Sequence, residues 1–159
     1  MIKVHNRYIT LTCLALSVWL FPVHLPADSY ECQAEHASGF AYDQKNETWQ
    51  ASTFSTEDRK YLISQADIKN VFVKALKYDY EIKKAGSAKP IIHCRVVKFN
   101  DSNEETGLVS CNGSSGESFN FDKRNGRFIY SQPTGYVTLK PGSQAANEPH
   151  MEIGTCSPK

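Results

Sequence analysis

The stretch FNFDKRNGRF, residues 119–128, decides how this chain is read, because its ten residues spell out two strands and the turn between them. Phe119 and Phe121 stand two apart and so face one side of an extended strand. Asp122, two long polar residues and Asn125-Gly126 then interrupt it. Asp and Asn side chains bond nearby backbone amides and tolerate left-handed backbone, and Asn-Gly is a strong hairpin signal. Phe128 reopens the next strand. A near copy lies earlier, FAYDQKNETW at residues 40–49, in which Phe40, Asp43 and Asn46 recur and Tyr42 and Trp49 answer Phe121 and Phe128. Each copy predicts a hairpin whose aromatics meet across the gap. With three identities in ten positions, the repeat is expected to reflect convergence on hairpin grammar, with an old duplication as the alternative.

Outward from these two hairpins the strand signals are short and closely spaced: YEC near Tyr30, WQASTF, KYLIS, YDYEI, IIHCRVVKF, LVSC, SFNF, RFIYS, GYVTL and MEIGTC. Aromatic and β-branched residues dominate them, and Gly, Pro, Asn or Ser separate most of them. This pattern predicts a mainly β fold, a small antiparallel barrel or sandwich. One segment departs from it. DIKNVFVKAL, residues 67–76, places Ile68, Val71, Phe72, Ala75 and Leu76 on one helical face behind an Asp67 cap, so it predicts one short helix. PGSQAANEP, residues 141–149, reads as a loop before the final strand.

At the start, MIKVHNRYITLTCLALSVWLFPVHLPADS sets Lys3 and Arg7 before an uncharged apolar stretch that ends at Ala27, the order of a secretory signal. Pro22, His24 and Pro26 shorten the apolar part below the ~20 residues of a bilayer span. The expected organisation is a signal peptide over residues 1–27 and a single β domain over 28–159, periplasmic or secreted, with a mature form that does not span the membrane. The whole chain has 18 basic and 17 acidic side chains; without Lys3 and Arg7 the balance is 16 to 17. Such a balance offers no field for nucleic acid.

Cys32, Cys94, Cys111 and Cys156 remain after cleavage, and an even number in an exported chain predicts disulfides. The strand-like runs IIHCRVVKF and GLVSC, on either side of the polar loop NDSNEETG, lay Cys94 and Cys111 on neighbouring antiparallel strands. That leaves Cys32 with Cys156, tying the first strand to the last. No C-x-x-C pair and no flanking histidines suggest a metal site or a redox pair, so no metal and no cofactor is expected.

The layout YEC, GFAYD, Trp49, Phe54, KYLI, two middle cysteines, FNFD, RFIY, GYV and IGTC resembles a set of small exported bacterial proteins of unknown function. The resemblance implies a bacterial envelope or extracellular setting and brings no activity. There the sequons at Asn46 and Asn112 go unused; in a eukaryotic secretory protein both would be glycan sites. SGFAY, residues 38–42, also matches the S-G-x-x-Y signature of periplasmic lysozyme inhibitors of the membrane-bound type. That similarity implies an inhibitory loop at Ser38, Gly39 and Tyr42. In that family the motif lies deep in the chain and a K-G motif accompanies it, whereas here it follows the first cysteine and could equally open a hairpin.

Catalytic motifs are missing: there is no G-x-S-x-G, no H-E-x-x-H and no phosphate-cradling glycine loop. His36, His93 and His150 are isolated in sequence, and His93 must point away from Cys94 beside it. Glu104 with Glu105, or Asp43 with Asp122, could pair for acid and base work on a glycoside, but turns and surfaces need these residues anyway. The expectation is a non-enzymatic exported β domain, with no catalytic residue, binding a protein or small ligand. The alternatives are an inhibitor of a hydrolase such as lysozyme and, third, a small hydrolase.

Overall fold

The structure, a computed structural model, describes residues 29–67, 69, 71–99, 104–134, 136 and 148–159. The signal segment, the expected strand GYVTL apart from Tyr136, and most of the loop at 141–149 lie outside the described residues. In chain order the elements are β1 (Ser29–Asp43), β2 (Thr48–Thr53), β3 (Lys60–Gln65), α1 (Val71–Leu76), β4 (Tyr80–Lys84), β5 (Pro90–Lys98), β6 (Glu105–Asn112), β7 (Ser118–Asp122), β8 (Arg127–Gln132) and β9 (His150–Pro158). Every strand pairing is antiparallel, and β1 also pairs with β9. Eight strands therefore close into a barrel, and β2 is an extra strand on the upper half of β1. Closure, rather than a two-sheet sandwich, leaves the eight ring strands no free edge.

β1 spans 15 residues and has three neighbours. Its first half pairs with β3, its last half with β2, and its other side with β9 from Tyr30 to Gly39. The register against β9 shifts between Ala34 and His36, a bulge that lets both Ala34 and Ala37 face inward. Beyond Gly39 the strand leaves the ring and, with β2, projects as a hairpin. Gly39 marks the departure: a Cβ there would stand 2.1 Å from the Pro149 carbonyl oxygen and 2.6 Å from His150 Cα. The seam between first and last strands closes because this position has no side chain.

Alternation along the strands fills the interior. Tyr30, Tyr61, Phe119, Phe121, Phe128 and Tyr130 pack there with Ile63, Ile82, Ile92 and Val109. Phe119 stacks on Phe128 at 4.8 Å, and Tyr30 meets Phe121 edge-on at 4.8 Å. Both disulfides, Cys32–Cys156 and Cys94–Cys111, join directly opposed residues of adjacent strands and belong to this core. The pairing is the one the strand order predicts.

The two hairpins share one turn. Asp43 Oδ1 accepts the amides of Lys45 (2.9 Å) and Asn46 (3.2 Å), and Asp122 Oδ1 accepts that of Arg124 (2.9 Å). Asn46 and Asn125 each donate from Nδ2 to the aspartate's other oxygen. At the position where the second turn has Gly126 (φ 70°) the first has Glu47 (φ 49°). Tyr42 pairs with Trp49 and Phe121 with Phe128, as hairpin grammar requires. Within the expected helical segment, α1 spans Val71–Leu76, and Asp67 Oδ1 accepts the Lys69 amide at 3.0 Å.

Candidate functional site

The barrel end that bears the projecting hairpin opens into a cavity of about 660 Å³. Its floor is the carboxylate of Glu152, 1% exposed and facing inward from β9. A buried carboxylate is tolerated only when donors surround it. Three do, from three segments: Arg59 at the end of the 54–59 loop, Tyr61 Oη on β3 at 2.8 Å, and His150 Nε2 on β9 at 2.9 Å. Arg59 is itself fixed, since Nε donates to the Ser55 carbonyl at 2.8 Å and the guanidinium lies 5.5 Å from the Phe54 ring centre. The 54–59 loop is thus buttoned over the opening.

Burial pushes the Glu152 carboxyl upward, but the hydrogen bonds from His150, Tyr61 and Arg59, with the Arg59 charge, outweigh it and hold the group below its ordinary value. The same burial raises Tyr61, reinforced by the negative charge of Glu152. Tyr130 is pushed up to about 12, first by burial and then by the charges of Glu117 and Glu152. His150 Nδ1 contacts the Glu148 carbonyl at 2.7 Å. Both of its ring nitrogens therefore face acceptor oxygens, one from the backbone and one from Glu152. Every buried side-chain polar atom among the described residues has a partner. The cluster behaves as a lock between loop and barrel.

The outer wall beside the hairpin has a different character. One row of directly opposed residues runs Asn120, Ile129, Ile153, His36 across β7, β8, β9 and β1; the next runs Asn112, Ser118, Ser131, Met151, Ser38, Thr53. Neither row contains Lys, Arg, Asp or Glu. Ile129, Ile153 and Met151 are 39%, 47% and 49% exposed, and Phe40, two residues beyond Ser38 on the same face, is 51% exposed. Four large apolar side chains thus form one stripe that leads onto the hairpin. There Tyr42 packs on Trp49 at 5.3 Å and Trp49 meets Tyr136 at 5.8 Å.

The residues singled out in the sequence are distributed as follows. Ser38 sits in the second uncharged row, Gly39 is the seam glycine, and Tyr42 lies in the projecting hairpin; all three belong to β1 rather than to a loop. Asp43 and Asp122 cap turns at opposite ends of the barrel. Glu105 bridges Lys123 at 3.0 Å. His93 stacks on Tyr78 outside the wall while Cys94 lies within. Among the described residues no group of three His, Cys, Asp or Glu is placed to hold a metal. No described helix is long and apolar enough to cross a membrane. Sequence reading missed the cluster around Glu152, although His150 and Glu152, two apart in a strand, must share a face. Asn46 and Asn112 both lie exposed, the first in the β1–β2 turn and the second at the end of β6. Comparison of the chain with protein-family models, with curated proteins and with solved structures finds no match.

Proposed function

We propose that the protein acts in an oxidising extracytoplasmic compartment, the periplasm or the medium, as a non-enzymatic β domain that binds another protein. The observation that carries this reading is the uncharged pair of rows with Phe40, Met151, Ile153 and Ile129 along it. A contiguous exposed apolar patch on a small protein marks an interaction surface, and interface centres are depleted in charge. Two disulfides support the compartment, since such bonds persist where thiols are not kept reduced. The saturated Glu152 cluster supports binding over catalysis, because its carboxylate and imidazole hold each other.

A second reading is an inhibitor of a hydrolase such as lysozyme, and the projecting hairpin favours it. In that case Tyr42 and Trp49 enter the enzyme's cleft while the stripe rests on its rim.

The test uses the immobilised disulfide-bonded protein and envelope extract. Wild type and Ile91→Asp, a control with a similarly exposed isoleucine on β5, retain the same partner, and Ile153→Asp and Phe40→Asp lose it. Equal retention by all four proteins sinks the proposal. Sedimentation of the wild type alone identifies a second copy as partner if Ile153→Asp turns a dimer into a monomer. Lysozyme inhibition abolished by Trp49→Ala selects the second reading.

A further inference from the structure

Next to the uncharged face, the outer wall of β9, β1, β3 and β4 carries a groove of about 590 Å³ that runs across to the turn after β4. Its outward rows are Ser157, Glu31, Leu62, Lys83 and Thr155, Gln33, Lys60, and the turn after β4 walls one side. Four lysines line it: Lys60 from β3, Lys83 and Lys84 from β4, and Lys159 just beyond β9; Glu31 is the one carboxylate side chain in the lining. Lys83 is bridged to Glu81 at 2.6 Å and Lys159 to Glu31 at 2.7 Å. Neither Lys60 nor Lys84 is bridged by a carboxylate among the described residues. The fold thus gathers ammonium groups from three segments around one concavity, in a chain whose 18 basic and 17 acidic side chains nearly balance as a whole.

We propose that this groove is a second binding site, for a multiply charged phosphate-bearing anion. Lys60 and Lys84 supply the uncompensated charge, Lys159 adds its own by exchanging the exposed Glu31 carboxylate for the ligand while Lys83 stays with buried Glu81, and the Ser157 hydroxyl is a further donor. Lysine binds phosphate as a mobile point charge, and several around one cavity favour a ligand with more than one negative group. The volume suits a ligand larger than a single phosphate ion. The free anion and the headgroup of an anionic phospholipid share this chemistry.

Two probes separate these sources: sodium tripolyphosphate in low salt, followed by amide chemical shifts, and flotation with phosphatidylglycerol vesicles against phosphatidylcholine vesicles. Saturable shifts at Lys60, Ser157 and the turn at 85–87 are expected, with affinity at least tenfold weaker in Lys60→Gln/Lys84→Gln and unchanged in Lys69→Gln/Lys98→Gln. Vesicle binding that fails in the first double variant alone assigns the site to a lipid headgroup; its absence beside tripolyphosphate binding assigns it to a soluble anion. The substituted residues Lys60, Lys84, Lys69 and Lys98 are all exposed, so both variants should melt as wild type does, a control to be run alongside. No saturable shift and no vesicle binding overturns the proposal. So does an equal loss in both double variants.

Discussion

Tyr61 and Glu152 meet inside the barrel, the phenol of β3 donating to the carboxylate of β9 across the full width of β1 between them. Arg59, two residues before Tyr61, reaches the same carboxylate from the loop. Removing the carboxylate strands the three donors Arg59, Tyr61 and His150, and removing Arg59 leaves a buried anion with less than its complement. Glu152→Ala should cost about 3 kcal/mol and Arg59→Ala somewhat less, since the arginine is 22% exposed and water replaces part of its role. Urea denaturation of both variants checks the order.

The same carboxylate makes the fold acid-sensitive. Its folded pKa lies below the unfolded one, so its contribution is complete above the ordinary glutamate range and disappears as pH falls through the folded value. Asp122, drawn down to about 2 chiefly by the Arg124 side chain, adds a smaller loss at lower pH. Glu152→Gln should therefore be less stable at neutral pH, with a flatter stability profile below about pH 4.5. At the alkaline end the sign reverses. Tyr61 and Tyr130 are raised, so their contribution is intact below about pH 10 and declines above it. Phenolate absorbance should show both ionising only at the top of the titration or on unfolding.

The twin turns make opposite predictions for one backbone position. Glu47 holds a left-handed conformation that glycine takes without strain, so Glu47→Gly should stabilise by roughly 0.5 kcal/mol. Gly126→Ala adds a Cβ 2.7 Å from the Cys156 carbonyl oxygen at the same φ sign and should cost about 2 kcal/mol or more. Thermal melts of the two variants suffice.

Loop length ranks the disulfides. Cys94–Cys111 closes a separation of 17 residues and Cys32–Cys156 one of 124. In the chain-entropy account the double Ser variants lose about 3 and about 5 kcal/mol respectively. If the short-loop variant proves the weaker by denaturant titration, native-state packing of Cys94 and Cys111 outweighs chain entropy.

At the seam, Gly39→Ala puts a methyl group into the backbone of Pro149 and His150 and should cost about 2–3 kcal/mol. Amide exchange should quicken along β9 more than along β6, which does not touch β1.

What could be read in advance was local. Asp122, Asn125 and the flanking phenylalanines specify a hairpin within ten residues, and Cys94 and Cys111 lie on strands joined by one loop, so their pairing followed from neighbourhood. The choice between barrel and sandwich rests on β1 meeting β9, a contact between residues such as Gly39 and His150 that no short-range periodicity encodes. β1 itself was seen only in pieces, YEC and GFAYD, because the bulge at Ala34 to His36 breaks the alternation that would have joined them. Within the segment 67–76 expected to be helical, α1 forms over Val71–Leu76. Ser38 and Tyr42 carried a motif, yet the stripe beside them draws on Met151, Ile153 and Ile129, distant in sequence and brought alongside only by closure.

That β1 is the opening strand of the ring and β9 its last has a consequence for how the molecule is made. A chain delivered N-terminus first presents fifteen extended residues long before their closing neighbour exists, and Cys32 must wait for a thiol 124 positions behind it. Until then β1 is an open hydrogen-bonding template in a crowded space. Pairing with β2 and β3 covers one side of it in the meantime, and the bond between Cys32 and Cys156 can form only once β9 exists.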